Sequence, residues 1–176
     1  TWRVWGLGGG AGWVLAGRTE RGFCAVRLGE DAASLERALQ SEYPEATCVR
    51  ANEAPTAADD AVQAIARYLE GEAALPPDLP TDVASSAFQA RVWEALRRIP
   101  GGETRSYSEV AREIGNPRAV RAVASACAKN PVALIVPCHR VVPKGGDRNA
   151  PGHYRWGDER KRALLAIESA EAEEAD

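Results

Sequence analysis

The chain has 176 residues, 45% of them hydrophobic and 27% charged, with a formal net charge of −3, enough apolar material for one compact body or two small domains. No apolar run approaches the roughly 20 residues that span a bilayer and no signal segment opens the chain, so a cytoplasmic protein without a membrane partner is expected. Four scattered cysteines with no CxxC pair, and only two histidines, argue against a metal site or a disulfide framework, while the absence of methionine is what a domain taken from a longer protein would show.

The first half reads as a small mixed α/β unit. Apolar, β-rich runs at Gly12 to Ala16 and Gly22 to Leu28, separated by the polar stretch Gly17 to Arg21, predict a hairpin. Two helices follow: Asp31 to Tyr43, with Leu35 and Leu39 four apart, and Ala57 to Glu70, with Val62, Ile65 and Leu69 on one face and Gly71 as a stop. Three prolines within Leu75 to Pro80 mark an extended connector. The boundary placed there gives residues 1–78 as an N-terminal domain, 79–170 as a second domain and 171–176 as an acidic tail.

In the second half Phe88, Val92, Leu96 and Ile99 describe a helix that starts near Ser86, ends before Pro100 and has Trp93 widening its buried face. Ser106 and Glu109 form a capping-box pattern that opens a short helix ended by Gly115. Asn116 as cap and Pro117 in the first position then predict a further helix after a three-residue turn, with Val120, Val123, Ala124 and Cys127 inward and Arg118, Arg121 and Ser125 outward. That outline is a helix-turn-helix. Most helical hairpins are packing units, but the charge distribution strengthens the DNA-binding alternative: residues 1–84 carry 7 basic and 13 acidic groups, whereas Gly115 to Gly146 holds five basic residues and no acid.

Val132 to Val136 is expected to be a short buried strand that delivers Pro137-Cys138-His139-Arg140. A buried thiol is ordinarily a core residue, and that reading suits Cys24 and Cys127, with Cys48 an inert loop thiol. Cys138 differs because His139 and Arg140 follow it, and cations lower a thiol pKa towards neutrality. Successive residues of an extended chain point to opposite sides, so a relay from Cys138 to His139 through water is expected. On the last helix, Asp158 to Ala170, Glu168 lies beside the apolar stripe of Leu164, Leu165 and Ile167; it is either a partnered carboxylate that orients the imidazole or a surface residue.

Ile135-Val136-Pro137-Cys138-His139-Arg140-Val141-Val142 resembles the active-site signature of the O6-alkylguanine-DNA alkyltransferases. The likeness extends through Ala87-Phe88-Gln89, Val92-Trp93, Gly102-Glu103-Thr104, Ser106-Tyr107, Arg118-Ala119-Val120-Arg121-Ala122-Val123 and Tyr154-Arg155-Trp156-Gly157. In the first half, Glu20-Arg21-Gly22 and Leu28-Gly29 are most similar to the C-terminal repair domain of bacterial Ada proteins. The resemblance implies an α/β N-terminal domain, an RNase H-like small sheet with helices, followed by a mostly α domain with a helix-turn-helix. It further implies a cofactor-free, monomeric protein that binds double-stranded DNA through the minor groove and flips out O6-alkylguanine, with O4-alkylthymine a further lesion class. One irreversible transfer of the alkyl group to Cys138 would follow.

Residue by residue, the resemblance makes Cys138, His139 and Glu168 the thiol, the water-linked base and the orienting carboxylate, and Asn130 the brace of the turn between recognition helix and active site. Arg121 replaces the flipped base in the stack, Arg118 and Ser125 join it on the DNA face, and Tyr107 serves the adjacent phosphate and protonates the leaving guanine. Val141, Tyr154, Arg155 and Trp156 line the pocket. The loop from Pro143 to His153 is longer than in the Ada proteins, and Trp156 stands where some relatives have a small residue, so a narrowed pocket is expected. The alternatives are a cysteine hydrolase, a damage-binding module without chemistry, whose known forms lack the cysteine, and a regulator that uses repair as its switch.

Overall fold

The computed structural model describes residues 2–50 and 59–175. The first half builds a four-stranded sheet of order β3-β2-β1-β4. β1 (Trp2–Gly9), β2 (Gly12–Arg18) and β3 (Phe23–Gly29) form an antiparallel meander, and β4 (Cys48–Arg50) returns parallel to β1 after helix α1 (Ala32–Glu42). The predicted hairpin is thus β2–β3, and Cys48 belongs to a strand rather than a loop. β1 is the strand the sequence hides: three of its eight residues are glycine, which blurs the alternation by which a strand is recognised.

Alternation along the strands sends Val4, Leu15 and Ala25 to one face, beneath Leu35 and Leu39 of α1. Trp5, Val14, Ala16 and Val26 join a larger cluster with Val62, Ile65, Tyr68 and Leu69 of α2 (Asp60–Leu69). Both helices lie where the periodicity predicts, although the expected first turn of α2 lies partly outside the described residues. Asp31 caps α1, accepting the Ser34 N–H at 2.8 Å, and Gly71 follows α2 with φ +73°, a left-handed conformation that glycine adopts without strain.

In the second half α3 (Ala87–Arg97) and α4 (Tyr107–Glu113) each begin in a reciprocal capping box, Ser86 with Gln89 and Ser106 with Glu109. α5 (Val120–Ala128) starts three residues later than expected. Asn116 does not cap it; its carbonyl accepts the Ala119 N–H at 3.0 Å in a separate turn, and the helix begins at Val120 with no side-chain cap. Six residues rather than three therefore separate α4 from α5. α6 (Asp158–Glu174) runs four residues past its expected end and absorbs most of the acidic tail.

The expected strand Val132 to Val136 is not a strand. Val132 makes one parallel bridge to Val26, after which the chain coils: Ile135 N–H donates to Ala133 O, Val136 N–H to Val132 O, and Leu134 takes φ 70°. All five residues are buried, so their apolar character reports burial rather than extension.

The β3 edge is where the two halves join. Phe23 N–H donates to Pro80 O at 2.9 Å and Phe23 O accepts from Asp82 N–H at 2.7 Å; Val26 N–H donates to Pro131 O at 2.9 Å and Val26 O accepts from Ala133 N–H at 3.1 Å. These bonds satisfy edge groups that would otherwise template aggregation. A side chain at Gly22 would place Cβ 2.6 Å from Pro80 O, so only glycine permits this approach. The main buried cluster continues through the joint into Val92, Trp93 and Leu96 of α3, the 132–136 segment and Leu164 of α6. The connector at residues 75–80 is irregular, as its prolines demand.

Candidate active site

Cys138 opens a short 3-10 turn, Cys138–Arg140, held at the base of the coil that follows α5. Asn130, 1% exposed at the end of α5, organises it. Its amide donates to Val136 O at 2.8 Å and to Cys138 Sγ at 3.3 Å, while its Oδ1 accepts the Val132 N–H at 3.0 Å. One side chain thereby ties the end of α5, the coil and the thiol together. After the turn, β6 (Val141–Val142) pairs in parallel with β5 (Arg105–Ser106); this places Tyr107, the first residue of α4, beside the thiol.

Behind the turn lies a buried polar cluster. His139, fully buried, has Nε2 2.7 Å from Glu168 Oε1. Arg140 donates to the same carboxylate from Nη2 at 2.7 Å and from Nε at 3.1 Å to each oxygen, and its Nη1 reaches Ile99 O at 2.6 Å. Glu168 is 1% exposed, which decides between its two sequence readings: it is partnered, not a surface residue. Burial alone would raise its pKa, but the charges and hydrogen bonds of His139 and Arg140 outweigh burial and hold the carboxyl well below the usual range. An ionised Glu168 accepts the hydrogen bond of His139 Nε2–H, which leaves the other ring nitrogen, Nδ1, facing away from the carboxylate. Nδ1 is buried and lacks a hydrogen-bond partner among the described residues.

Cys138 lines a cavity of about 300 Å3 together with Tyr107, Cys127, Pro143, Tyr154 and Arg155. A larger concavity of about 540 Å3 lies on the other side of Pro143, between α4 and the start of the 143–153 loop; neither Cys138 nor His139 lines it, so the smaller cavity is the candidate site. Burial raises the Cys138 thiol above its ordinary pKa, opposed by the Asn130 hydrogen bond and the positive charges of Lys161 and Arg155. Burial thus opposes the pull of these cations towards neutrality, so a base that takes the thiol proton is needed to favour the thiolate. Tyr107 is held protonated, raised to about 12 by burial and by the neighbouring Cys127 and Cys138 sulfurs.

Tyr154 and Arg155 stand in the cavity wall as expected, whereas Val141 and Trp156 do not. Val141 is buried behind the wall, its carbonyl accepting Lys161 Nζ at 2.7 Å. Trp156 is half-buried and stacks under the Arg155 guanidinium, 4.6 Å from ring centroid to Cζ, so its bulk reaches the cavity only through Arg155. Arg121 and Ser125 are exposed on the outward face of α5, where the periodicity puts them, whereas Arg118 is exposed in the turn that precedes the helix, not on it. Cys127 lines the cavity as well as the core, its thiol pushed far up by burial.

Two residues escaped the sequence reading. Lys161, fully buried, lies on the inward face of α6 at helical spacing from Leu164 and Glu168, and its ammonium ties Val141 O to His153 O across the ends of the 143–153 loop. Tyr68 of α2 donates its hydroxyl to Glu168 Oε1 at 2.7 Å. Both sit in stripes where an apolar residue would fit the same period, so pattern alone does not single them out. No group of three or more His, Cys, Asp or Glu among the described residues could hold a metal ion, and none of their helices is long and apolar enough to cross a membrane.

Residues 87–170 match the family model described as 6-O-methylguanine DNA methyltransferase, DNA binding domain. The chain is 48% identical over 166 residues to the bifunctional transcriptional activator and DNA repair enzyme Ada of Escherichia coli, covering 93% of this chain but 44% of Ada; it thus spans less than half the length of that relative. It is 47% identical over 116 residues to the methylated-DNA–protein-cysteine methyltransferase of Mycolicibacterium paratuberculosis, covering 66% of this chain and 68% of that protein. The crystal structure of Mycobacterium tuberculosis OGT in complex with DNA superposes with a TM-score of 0.75 at 34% identity, covering 97% of this chain and 93% of that one.

Proposed function

The chain belongs to the 6-O-methylguanine DNA methyltransferase family, and on that premise we propose that it repairs DNA by moving an alkyl group from O6 of guanine to its own Cys138, once per molecule. The observation that carries this reading is the Cys138 thiol on a cavity wall with a histidine–carboxylate pair directly behind its turn, a pair that the neighbouring Cys127 lacks in the sequence motif.

The thiol proton passes through a water to His139 Nδ1, and the imidazolium is balanced by Glu168. The sulfur attacks the alkyl carbon in line; the S–C bond forms as the C–O6 bond breaks, and the electron pair leaves on guanine. Tyr107, protonated across the neutral range, supplies the proton the leaving base needs. The atoms balance without a cofactor. The product is a thioether, which has no ionisable proton and leaves poorly, so turnover ends after one transfer.

In this reading residues 79–170 carry the chemistry and meet the duplex through α4 and α5 as a helix-turn-helix, supported by residues 1–78. Base flipping costs a few kcal/mol, offset as Arg121 fills the stack and the cavity takes the base. The known binding of the similar M. tuberculosis protein to DNA supports a duplex partner; minor-groove docking, a monomer and a cytoplasmic site of action complete the proposal.

Intact-mass measurement after incubation with an O6-methylguanine duplex tests it. The protein should gain one CH2 unit, mapped to Cys138 and limited to one per chain, while Cys138→Ala gains none and still binds the damaged duplex. Repeated turnover, or transfer by the alanine variant, would overturn the proposal.

A further inference from the structure

Glu168 receives a hydrogen bond from outside its own half of the molecule. Tyr68 lies at the last turn of α2, 1% exposed, its ring packed among Ile65 and Leu69 in the main core. Its hydroxyl is 2.7 Å from Glu168 Oε1 and 3.5 Å from His139 Nε2. His139 Nε2 must itself donate to the carboxylate at 2.7 Å, so the phenolic proton goes to Glu168. Burial first, and the Glu168 charge next, raise the phenol well above its ordinary pKa; Tyr68 is therefore a donor at every pH the protein meets and cannot act as a base.

We propose that Tyr68 is a positioning residue of the thiol-activating site: its hydroxyl fixes Glu168 Oε1 and sets how strongly that carboxylate draws the His139 imidazole. Oε1 accepts from Tyr68, His139 and Arg140 at once. Donors compete for the same lone pairs, so each one weakens the hold of the carboxylate on the others. With Tyr68 in place, Glu168 orients the ring without over-stabilising its protonated form. The charged and titratable groups around this carboxylate are Tyr68 from α2, His139 and Arg140 from the 3-10 turn, Tyr154 from the segment before α6, and Glu171 on α6 itself. Of these, Tyr68 is the one the first half contributes. The sheet and its helices thereby take part in the chemistry and are more than a support for it.

The inference rests on the proposed alkyl transfer, and two readouts keep the two apart. Tyr68→Phe keeps the ring and removes only the donor. Single-turnover transfer from an O6-methylguanine duplex should show its acid limb moved to higher pH by roughly half a unit to one unit, hence a rate near neutrality lowered roughly three- to tenfold. The His139 ring 15N titration, followed in the protein alone, should move the same way, and it needs no substrate. Replacing Tyr68 with 3-fluorotyrosine, a stronger donor of nearly the same size, should move both in the opposite direction while leaving all packing in place. In a Glu168→Gln background, Tyr68→Phe should slow transfer by less than about twofold, since the group it acts through is gone.

Superimposable pH profiles and ring titrations for wild type, Tyr68→Phe and the fluorinated protein would overturn the role of Tyr68 even if transfer proceeds. An absence of transfer in the wild type, with the titration shifts present, would overturn the reaction and leave the positioning intact.

Discussion

Arg155 is the side chain on which the width of the cavity turns. It lines the wall, donates Nη1 to Asn130 O at 3.2 Å and stacks on Trp156 at 4.6 Å. The indole was expected in the wall because a large residue replaces a small one there; in the structure its bulk acts at one remove, by setting where the guanidinium lies. Arg155→Ala should open the wall directly, and Trp156→Gly should open it only by releasing Arg155. Overpacking typically costs 1–3 kcal/mol and 1.36 kcal/mol is tenfold in rate, so Arg155→Ala should raise the rate with O6-benzylguanine by roughly tenfold or more. The gain from Trp156→Gly should be no larger. Methyl transfer should change by less than about threefold, slightly downward for Arg155→Ala because a positive charge that favours the Cys138 thiolate is lost. A Trp156→Gly gain well above that of Arg155→Ala would put the indole back in the wall.

At the scale of elements, the proposed function gives α4 a part in the chemistry and α5 a part in meeting the duplex. The Ser106 capping box and the β5–β6 pairing fix the start of α4, and with it Tyr107 over the cavity; α5 presents Arg121 to solvent and closes on Asn130. Arg121→Ala should therefore cost repair of duplex DNA at least tenfold more than reaction with free O6-methylguanine, because only the duplex has a vacated stack to fill. Rates on the two substrates check this, and equal losses would remove Arg121 from that role. The elements themselves were legible wherever period and cap agreed, as at Ser86, Ser106 and Asp31. Legibility failed where one signal had two causes. Five consecutive apolar residues at 132–136 mark burial, yet the chain coils there; glycines obscure β1. Cys138 and His139, to which the proposal gives the chemistry, are neighbours in the sequence and could be singled out directly, whereas Tyr68 lies 71 residues from His139, a contact that only the fold creates.

On the scale of the whole molecule, Glu168 is a tie as well as an orienting group. Through it α6 is bound to Tyr68 in the first half, to the Cys138–Arg140 turn by His139 and Arg140, and by way of Arg140 to Ile99, just beyond the end of α3. Breaking a buried ionic cluster by removing one partner costs about 3–5 kcal/mol, since the remaining charge is left uncompensated. Glu168→Gln should lose stability of that order at neutral pH. Its pH dependence separates charge from packing. The folded-state pKa of Glu168 is depressed far below its ordinary 4.5, so its contribution is complete above that value and is lost as pH falls below it towards the folded-state pKa. Wild-type stability should therefore decline faster than that of Glu168→Gln between about pH 5 and 3, by up to about 1.36 kcal/mol per unit, and the two curves should converge in acid. Denaturant unfolding of both proteins across that range measures the difference. Parallel curves would mean that Glu168 holds the halves together by shape alone, and that its charge serves only the imidazole beside it.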